Sequence, residues 1–303
     1  MKEIKWAVLG CGVIANEMAV ALQKNGKNIY AVGNRTHEKA AAFAEKYGIG
    51  KVYDDFHEMF TDPEVDIIYI TTPHNTHLGF MKEAIANGKH ILVEKSITLN
   101  SDELDEAIAL AKEKGVIIGE AMTIYHMPIY KELKKILDSG RLGRVNLITM
   151  NFGSFKEYNM KNRFFNRNLA GGAMLDIGVY ALSFIRWFFD PKPDQLLSQV
   201  KPAPTGVDEQ AGLLLTNQEG QMASVMLSLH SKQPKRGMVS CENGFIEIME
   251  YPRAWEAKIT DASTGESEII KAGDNADALA YELAEMERAI IVYESAMNVF
   301  YTK

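Results

Sequence analysis

The fold class expected of this chain is α/β: a doubly wound parallel sheet, then an α+β domain with a large, mainly antiparallel, open sheet. Three observations predict it. The length, 303 residues, exceeds what one hydrophobic core usually serves. Over roughly the first 120 residues, continuous apolar runs alternate with helical stretches, as expected of parallel strands covered on both faces. After Ala121 the apolar runs lengthen and short turns join the later ones, which favours antiparallel pairing. The domains are accordingly placed at 1–121 and 122–303.

In the first domain the expected strands are Trp6–Leu9, Ile29–Val32, Val65–Thr71, His90–Val93 and Val116–Gly119. Helices are expected over Asn16–Lys24, His37–Tyr47, Phe56–Phe60, Leu78–Asn87 and Ser101–Lys114. The last opens on a serine and acidic residues, a match to the cap and to the helix dipole. In the second domain Pro128–Ser139 reads as a helix ending at Gly140. Strands follow at Val145–Phe152, Gln210–Leu215, Met222–Leu229 and Gly244–Met249, with a helix at Met174–Phe188 and another at Ala278–Phe300.

Composition narrows the function. A net charge of −7 argues against nucleic acid as a partner, and the short basic cluster Lys232 to Arg236 reads as a solvated loop. Two cysteines, Cys11 and Cys241, have neither metal-ligand nor disulfide spacing, so no metal is expected and a reducing, cytoplasmic setting is. No signal peptide precedes the first strand, and no apolar run approaches the ~20 residues of a membrane span.

The chemistry-bearing motifs fall at strand ends. Gly10-Cys-Gly12-Val13-Ile14-Ala15 sits between a strand and a helix. There the first glycine allows a tight turn, the second lets backbone approach a pyrophosphate, and the helix N-terminus offers unpaired N–H groups. In this context the pattern reads as a dinucleotide site, where bare glycines alone would mark only a turn. The second strand ends in Asn34-Arg35-Thr36, with no acid for a ribose hydroxyl and a cation for a 2′-phosphate, which favours NADP over NAD. Arg35 solvating a loop is the competing reading.

A third strand runs into Thr72-Pro73-His74-Asn75-Thr-His77, where proline ends the strand at the ligand crevice. His74 and Asn75 are candidates for touching cofactor or substrate, and His77 for capping the next helix. A fourth ends in Glu94-Lys95, and a strand-end lysine can donate a proton or hold a developing alkoxide. An ordinary exposed ion pair, worth ~1 kcal/mol or less, is the alternative. Finally Gly171-Gly172 leads into a helix bearing Asp176 and Tyr180, four apart on one face of an apolar helix. Buried polar groups cost free energy unless they meet a partner or ligand, so that pair is a site candidate. Arg163, Phe164 and Asn166 lie in a loop that reads either as touching substrate or cofactor or as merely shaping itself.

With its nucleotide loop, Thr72-Pro73-His74-Asn75-x-His77, Glu94-Lys95 and Gly171-Gly-x-x-x-Asp176-x-Gly-x-Tyr180 in this order, the chain resembles the Gfo/Idh/MocA oxidoreductase family over nearly its whole length. It is most similar to the branch of dimeric dihydrodiol dehydrogenases and NADP-dependent xylose dehydrogenases. There tyrosine stands where histidine stands elsewhere, as Tyr180 does here, and Glu120-Ala121-Met122 also resembles that branch. The resemblance implies an N-terminal Rossmann domain and a C-terminal domain whose open sheet serves a homodimer or higher homo-oligomer. It also implies a pocket lined by Lys95, Asp176 and Tyr180. Its substrate would be a small sugar, polyol or diol, with hydride exchanged at a secondary alcohol or carbonyl. Cofactor contacts are implied for Gly10, Gly12, Val13, Ile14, Asn34, Arg35, Thr36, Thr72, Pro73, His74, Asn75, His77, Glu94 and Lys95. Ser96 stands where the family usually has proline, and the chain ends early, departures that leave room for a catalytically silent NADP-binding sensor or scaffold.

Overall fold

The structure, a computed structural model, describes residues 3–189 and 191–301, without the side chains of 296–301. The described residues divide into two compact units, one formed by 3–121 together with 279–301, the other by 122–189 with 191–278. The C-terminal stretch thus groups with the first unit, whereas the sequence placed all of 122–303 in the second.

The first unit alternates strand and helix: β1 (Trp6–Leu9), α1 (Val13–Lys24), β2 (Ala31–Gly33), α2 (His37–Tyr47), β3 (Lys51–Tyr53), α3 (Phe56–Thr61), β4 (Ile67–Ile70), α4 (His77–Ala86), β5 (His90–Glu94), α5 (Ser101–Lys114) and β6 (Ile118–Ala121). All six strands are parallel, in the order β3-β2-β1-β4-β5-β6. β1, β4 and the first four residues of β5 are buried throughout, as continuous apolar runs require when helices cover both faces. Met18, Leu22 and Phe43 from α1 and α2 pack on one face, and Met81, Ile85 and Ala107 from α4 and α5 on the other. Strand order reverses between β1 and β4, the switch point where open α/β sheets bind ligands.

The long helix α8 (Ala278–Tyr301) completes the first face. Leu279, Leu283, Met286 and Ile290 join the core with Trp6 and Leu92, and Trp6 Nε1 donates to Glu287 at 2.9 Å. Several bounds shift by two or three residues from the sequence reading, as in α1, β2 and β6, and two further details differ. β3 was not foreseen: three residues at a sheet edge carry too little pattern to register. The cap of α5 is Asn100, whose side chain accepts from the Glu103 N–H at 3.0 Å, while Ser101 is the first helical residue.

In the second unit α6 (Pro128–Asp138) precedes β7 (Val145–Gly153), and a π-turn (Met174–Gly178) runs into α7 (Val179–Phe188). Then come β8 (Gln195–Pro202), β9 (Asp208–Thr216), β10 (Met222–Ser228), β11 (Gln233–Cys241), β12 (Gly244–Met249), β13 (Glu256–Asp261) and β14 (Ser267–Lys271). The eight strands lie in the order β14-β13-β12-β11-β7-β10-β9-β8, antiparallel except where β7 and β10 pair in parallel. α7 packs closely on this sheet: a Cβ added at Gly237 in β11 would lie 2.5 Å from the Phe184 ring.

The sequence missed β8, β11, β13 and β14. Their polar residues mask the strand pattern, and every residue of β8 is exposed. The basic cluster read as a solvated loop lies largely in β11, where Arg236 pairs with Glu247 at 2.5 Å and Lys235 with Glu250 at 2.7 Å. The stretch Arg167–Phe188 is apolar enough by composition to cross a membrane, but Ala181, Phe184 and Ile185 are buried within the second unit.

Candidate active site

The nucleotide loop is built by close approach at the switch point. Gly10 has φ +108°, and a Cβ there would lie 2.5 Å from Thr71 Oγ1, so only glycine fits the turn between β1 and the end of β4. Its N–H donates to Gly33 O at 2.8 Å, and the Thr71 N–H donates to Leu9 O at 2.9 Å. Gly12 is the N-cap of α1, has nothing within 4 Å of a built Cβ, and caps the helix with no side chain. The first-turn N–H groups and the positive end of the helix dipole therefore face open space, which suits a diphosphate. Ala15 is fully buried beneath the loop, Ile14 packs on the core, and Val13 is 79% exposed. Backbone, open space and an exposed apolar residue at a helix N-terminus fit a dinucleotide. Burial pushes the Cys11 thiol up to about 11, with the Lys39 charge opposing the rise.

Past β2, Arg35 and Thr36 are exposed, and the Asn34 side chain donates to Thr36 O at 3.0 Å. Thr36 occupies the N-cap of α2 without a side-chain bond. Lys39, which the sequence reading overlooked, is exposed in the first turn of α2, near enough for its charge to act on Cys11. It stands four residues beyond Arg35, so two cations belong to this helix start. A lysine in a helix of mixed charge gave no signal in sequence.

The two histidines act through backbone. His74 Nε2 lies 2.9 Å from the Lys95 carbonyl oxygen, and His77 Nδ1 lies 2.9 Å from that of Ser96. His77 Nε2 lies 2.9 Å from the Thr72 carbonyl, and the residue is fully buried. With both nitrogens occupied and no exposed surface, His77 holds the turn after β5 to the end of β4. Thr72 is tied to Thr76 through their hydroxyls, and Pro73 and Asn75 are exposed at the crevice end of β4.

A neutral imidazole has one N–H and can donate to only one of the two carbonyls around His77. Protonation would serve both but would bury a charge. Burial wins and pushes the pKa below its ordinary value, although the carbonyls pull the other way. The unfolded chain then binds more protons at this residue than the folded one once pH falls through the ordinary histidine value. Stability is thereby lost on acidification, down to the lower folded value. We expect His77→Asn to cost about 1–3 kcal/mol at neutral pH. It should also flatten the fall in Tm between roughly pH 7.5 and 5.5. An equal fall in both proteins would show that His77 does not titrate as argued.

Lys95 and Glu94 sit half-buried at the crevice end of β5. The buried Tyr69 hydroxyl donates to the Glu94 carboxylate, which ties that side chain to β4. The Lys95–Ser96 peptide is cis, and Ser96 is buried. The turn at Ser96, where the family usually has proline, is held by the histidines and by Glu120, whose carboxylate accepts the Ile97 N–H at 2.9 Å.

In the second unit the glycine pair lets three chain segments meet. A Cβ at Gly171 would lie 2.6 Å from Phe164 O, and one at Gly172, φ +126°, would lie 2.1 Å from Asp208 Oδ1. Asp208 Oδ2 accepts the Met174 N–H at 2.6 Å at the start of the π-turn, an anchor too distant in sequence to be foreseen. Burial raises the Asp208 pKa while these backbone bonds oppose it. Asp176 lies in the π-turn, 6% exposed, with its carboxylate 3.6 Å from the Arg163 guanidinium. Tyr180 follows in the first turn of α7, half-buried, with its ring 6.4 Å from that of Phe152.

Of the loop candidates, Arg163 bridges to Asp176 and lies over the Phe164 ring at 4.3 Å, with Lys156 over the same ring at 4.2 Å. Asn166 is used locally, accepting the Asn168 N–H at 2.9 Å and so shaping the loop. The loop is pinned by Tyr158, which donates to Glu209 at 2.7 Å. Burial would raise the Glu209 pKa, but Lys201 at 2.9 Å and Tyr158 hold it below the usual range.

Residues 4–122 match the Gfo/Idh/MocA oxidoreductase family with its NAD-binding Rossmann fold, and residues 130–247 match the C-terminal domain of that family. The chain is 31% identical over 248 residues to trans-1,2-dihydrobenzene-1,2-diol dehydrogenase of Xenopus tropicalis, covering 80% of this chain and 74% of that one. To the enzyme of that name from Mus musculus it is 30% identical over 251 residues, covering 82% and 75%. Among solved structures it resembles a 3-ketoreductase from Actinomadura kijaniata in complex with NADP and TDP-benzene, with TM-score 0.87, 21% identity and coverage of 97% and 91%. It also resembles a levoglucosan dehydrogenase in complex with NADH and levoglucosan, with TM-score 0.87, 17% identity and coverage of 96% and 91%. At those identities the likeness is one of fold. The two domain matches in series, with a relative above 30% identity over most of both chains, establish that this protein belongs to the Gfo/Idh/MocA oxidoreductase family.

Proposed function

We propose that the protein is an NADP-dependent dehydrogenase or reductase that exchanges a hydride with a secondary alcohol, or its carbonyl, on a small sugar, polyol or dihydrodiol. The observation that carries this reading is Lys95, delivered by β5 to the crevice end of a sheet whose switch point holds the nucleotide cradle. The nicotinamide, when bound, supplies the hydride donor or acceptor. Everything else falls to the chain. Gly10, Gly12 and the start of α1 seat the diphosphate, and Arg35 with Lys39 favours a 2′-phosphate. By the family resemblance, Lys95 in the first unit and Tyr180 in the second are the candidate proton-holding groups, and Asp176 is the candidate for orienting a substrate hydroxyl.

The names of the relatives support this substrate class, since dihydrodiol and sugar derivatives both carry the CH–OH group such chemistry needs. A panel of diols, polyols and aldoses, followed by nicotinamide absorbance, tests it. Turnover on any member is the expected result. Cofactor binding with no turnover across the panel would instead fit the silent sensor.

The same reading includes a homodimer through the open face of the second sheet. Leu197 of β8, Met222 and Met226 of β10 and Leu147 of β7 are exposed on that face, more apolar surface than single scattered residues account for. Sedimentation equilibrium should return twice the 33.8 kDa of one chain. A monomer at micromolar concentration would remove this part. A cytoplasmic setting belongs to the same reading, on the strength of two separate, unpaired cysteines.

A further inference from the structure

We propose that Glu120 is a positioning residue for Lys95, holding the turn that carries the lysine from a neighbouring strand. The inference rests on the dehydrogenase reading and adds to it a residue that touches neither cofactor nor substrate. Glu120 lies in β6, opposite Val93 of β5 in the parallel register, so its strand neighbours the one that ends in Lys95. Its carboxylate reaches beyond the end of β5 and accepts the Ile97 N–H at 2.9 Å.

The turn is therefore gripped at three successive residues. His74 bonds the Lys95 carbonyl, His77 the Ser96 carbonyl, and Glu120 the Ile97 N–H. The grips come from different elements, the His74–Thr76 turn, α4 and β6, each fixed on the sheet. A half-buried carboxylate is a costly way to accept one backbone N–H where no charge is at stake. Here a charge is at stake. Burial raises the Glu120 pKa, while the Ile97 N–H and the nearby Lys95 ammonium oppose that rise, so the lysine lies within electrostatic reach. One side chain thus fixes the backbone after Lys95. Proline would supply rigidity at this position by its ring. With Ser96 the rigidity must come from outside the turn.

The test uses the full chain with Glu120→Ala, Glu120→Gln and Glu120→Asp. Glutamine keeps an oxygen that can accept from Ile97, whereas aspartate keeps the charge but falls a methylene short. In Glu120→Ala and Glu120→Asp, hydrogen exchange at the Ile97 amide should quicken by about tenfold or more. In the same two variants kcat should fall by about 10–100-fold, the scale of a misplaced catalytic group. KM and the NADPH dissociation constant should stay within about threefold of wild type. Glu120→Gln should keep slow exchange and recover most of kcat.

Faster exchange with unchanged kcat would overturn the proposal. So would equal loss of kcat in the alanine and glutamine variants with exchange unaltered, which would make the charge and not the hold the active feature. A wild type without turnover on any substrate would fail the dehydrogenase reading itself. Exchange then decides for Glu120 alone, and an unchanged Ile97 amide in Glu120→Ala overturns its hold on the turn.

Discussion

Lys95→Met and Tyr180→Phe should each lower kcat by about 10²–10⁴-fold while leaving NADPH affinity within about threefold, because each removes a proton-holding group. Lys95 enters its turn through its backbone carbonyl, held by His74, and methionine preserves the side-chain length. The Tyr180 ring keeps its packing against Phe152 when only the hydroxyl is lost. The two variants also separate the roles. The proton donor is the one whose loss removes a limb from the pH profile of kcat, while the other lowers the plateau through weaker stabilisation of the alkoxide. If both variants keep more than about a tenth of wild-type kcat, neither residue carries the chemistry.

The second large effect belongs to the cofactor. Arg35→Ala should weaken NADPH binding by about 10–100-fold, the value of one charge-assisted hydrogen bond, and leave NADH binding within about twofold. Lys39→Ala should act in the same direction, and the double variant should bring the two cofactors to comparable affinity. Fluorescence titration of the four proteins reads this directly. The physical reason is local. Arg35 and Thr36 are exposed where β2 ends, no acid stands at 34–36 to repel a 2′-phosphate, and two cations lie four residues apart. Tighter binding of NADH than NADPH by the wild type, unmoved in the variants, would reverse the NADP assignment and leave the hydride chemistry standing.

Much of the first unit was legible in the chain because its signals are local. β1, α2 and α5 have the bounds expected of them, since continuous apolar runs, helical spacing and glycine C-caps mark their ends within a few residues. Gly10 and Gly12 were legible for the same reason: a strand, two glycines and a helix start are one contiguous pattern. The second unit was harder. β8 offers no buried face and β14 only partial burial at Ile270, so the alternation that marks a strand is absent from them. Their existence follows from hydrogen bonding to β9 and β13, which are long-range partners.

By itself the sequence indicated the order of strands and helices in the first unit apart from β3, the nucleotide loop, and Lys95, Asp176 and Tyr180 as candidates. Each of these is written in neighbouring residues. Only the tertiary structure decided what holds them. His77 grips Ser96 across 19 residues, Glu120 grips Ile97 across 23, and Asp208 caps the turn of Asp176 from 34 residues beyond Met174. It also decided that α8 closes the face of the first sheet, through Leu279, Leu283, Met286 and Ile290. Hydrogen bonds and packing across such separations depend on where the sheet brings strand ends together, and no periodicity within either segment encodes it.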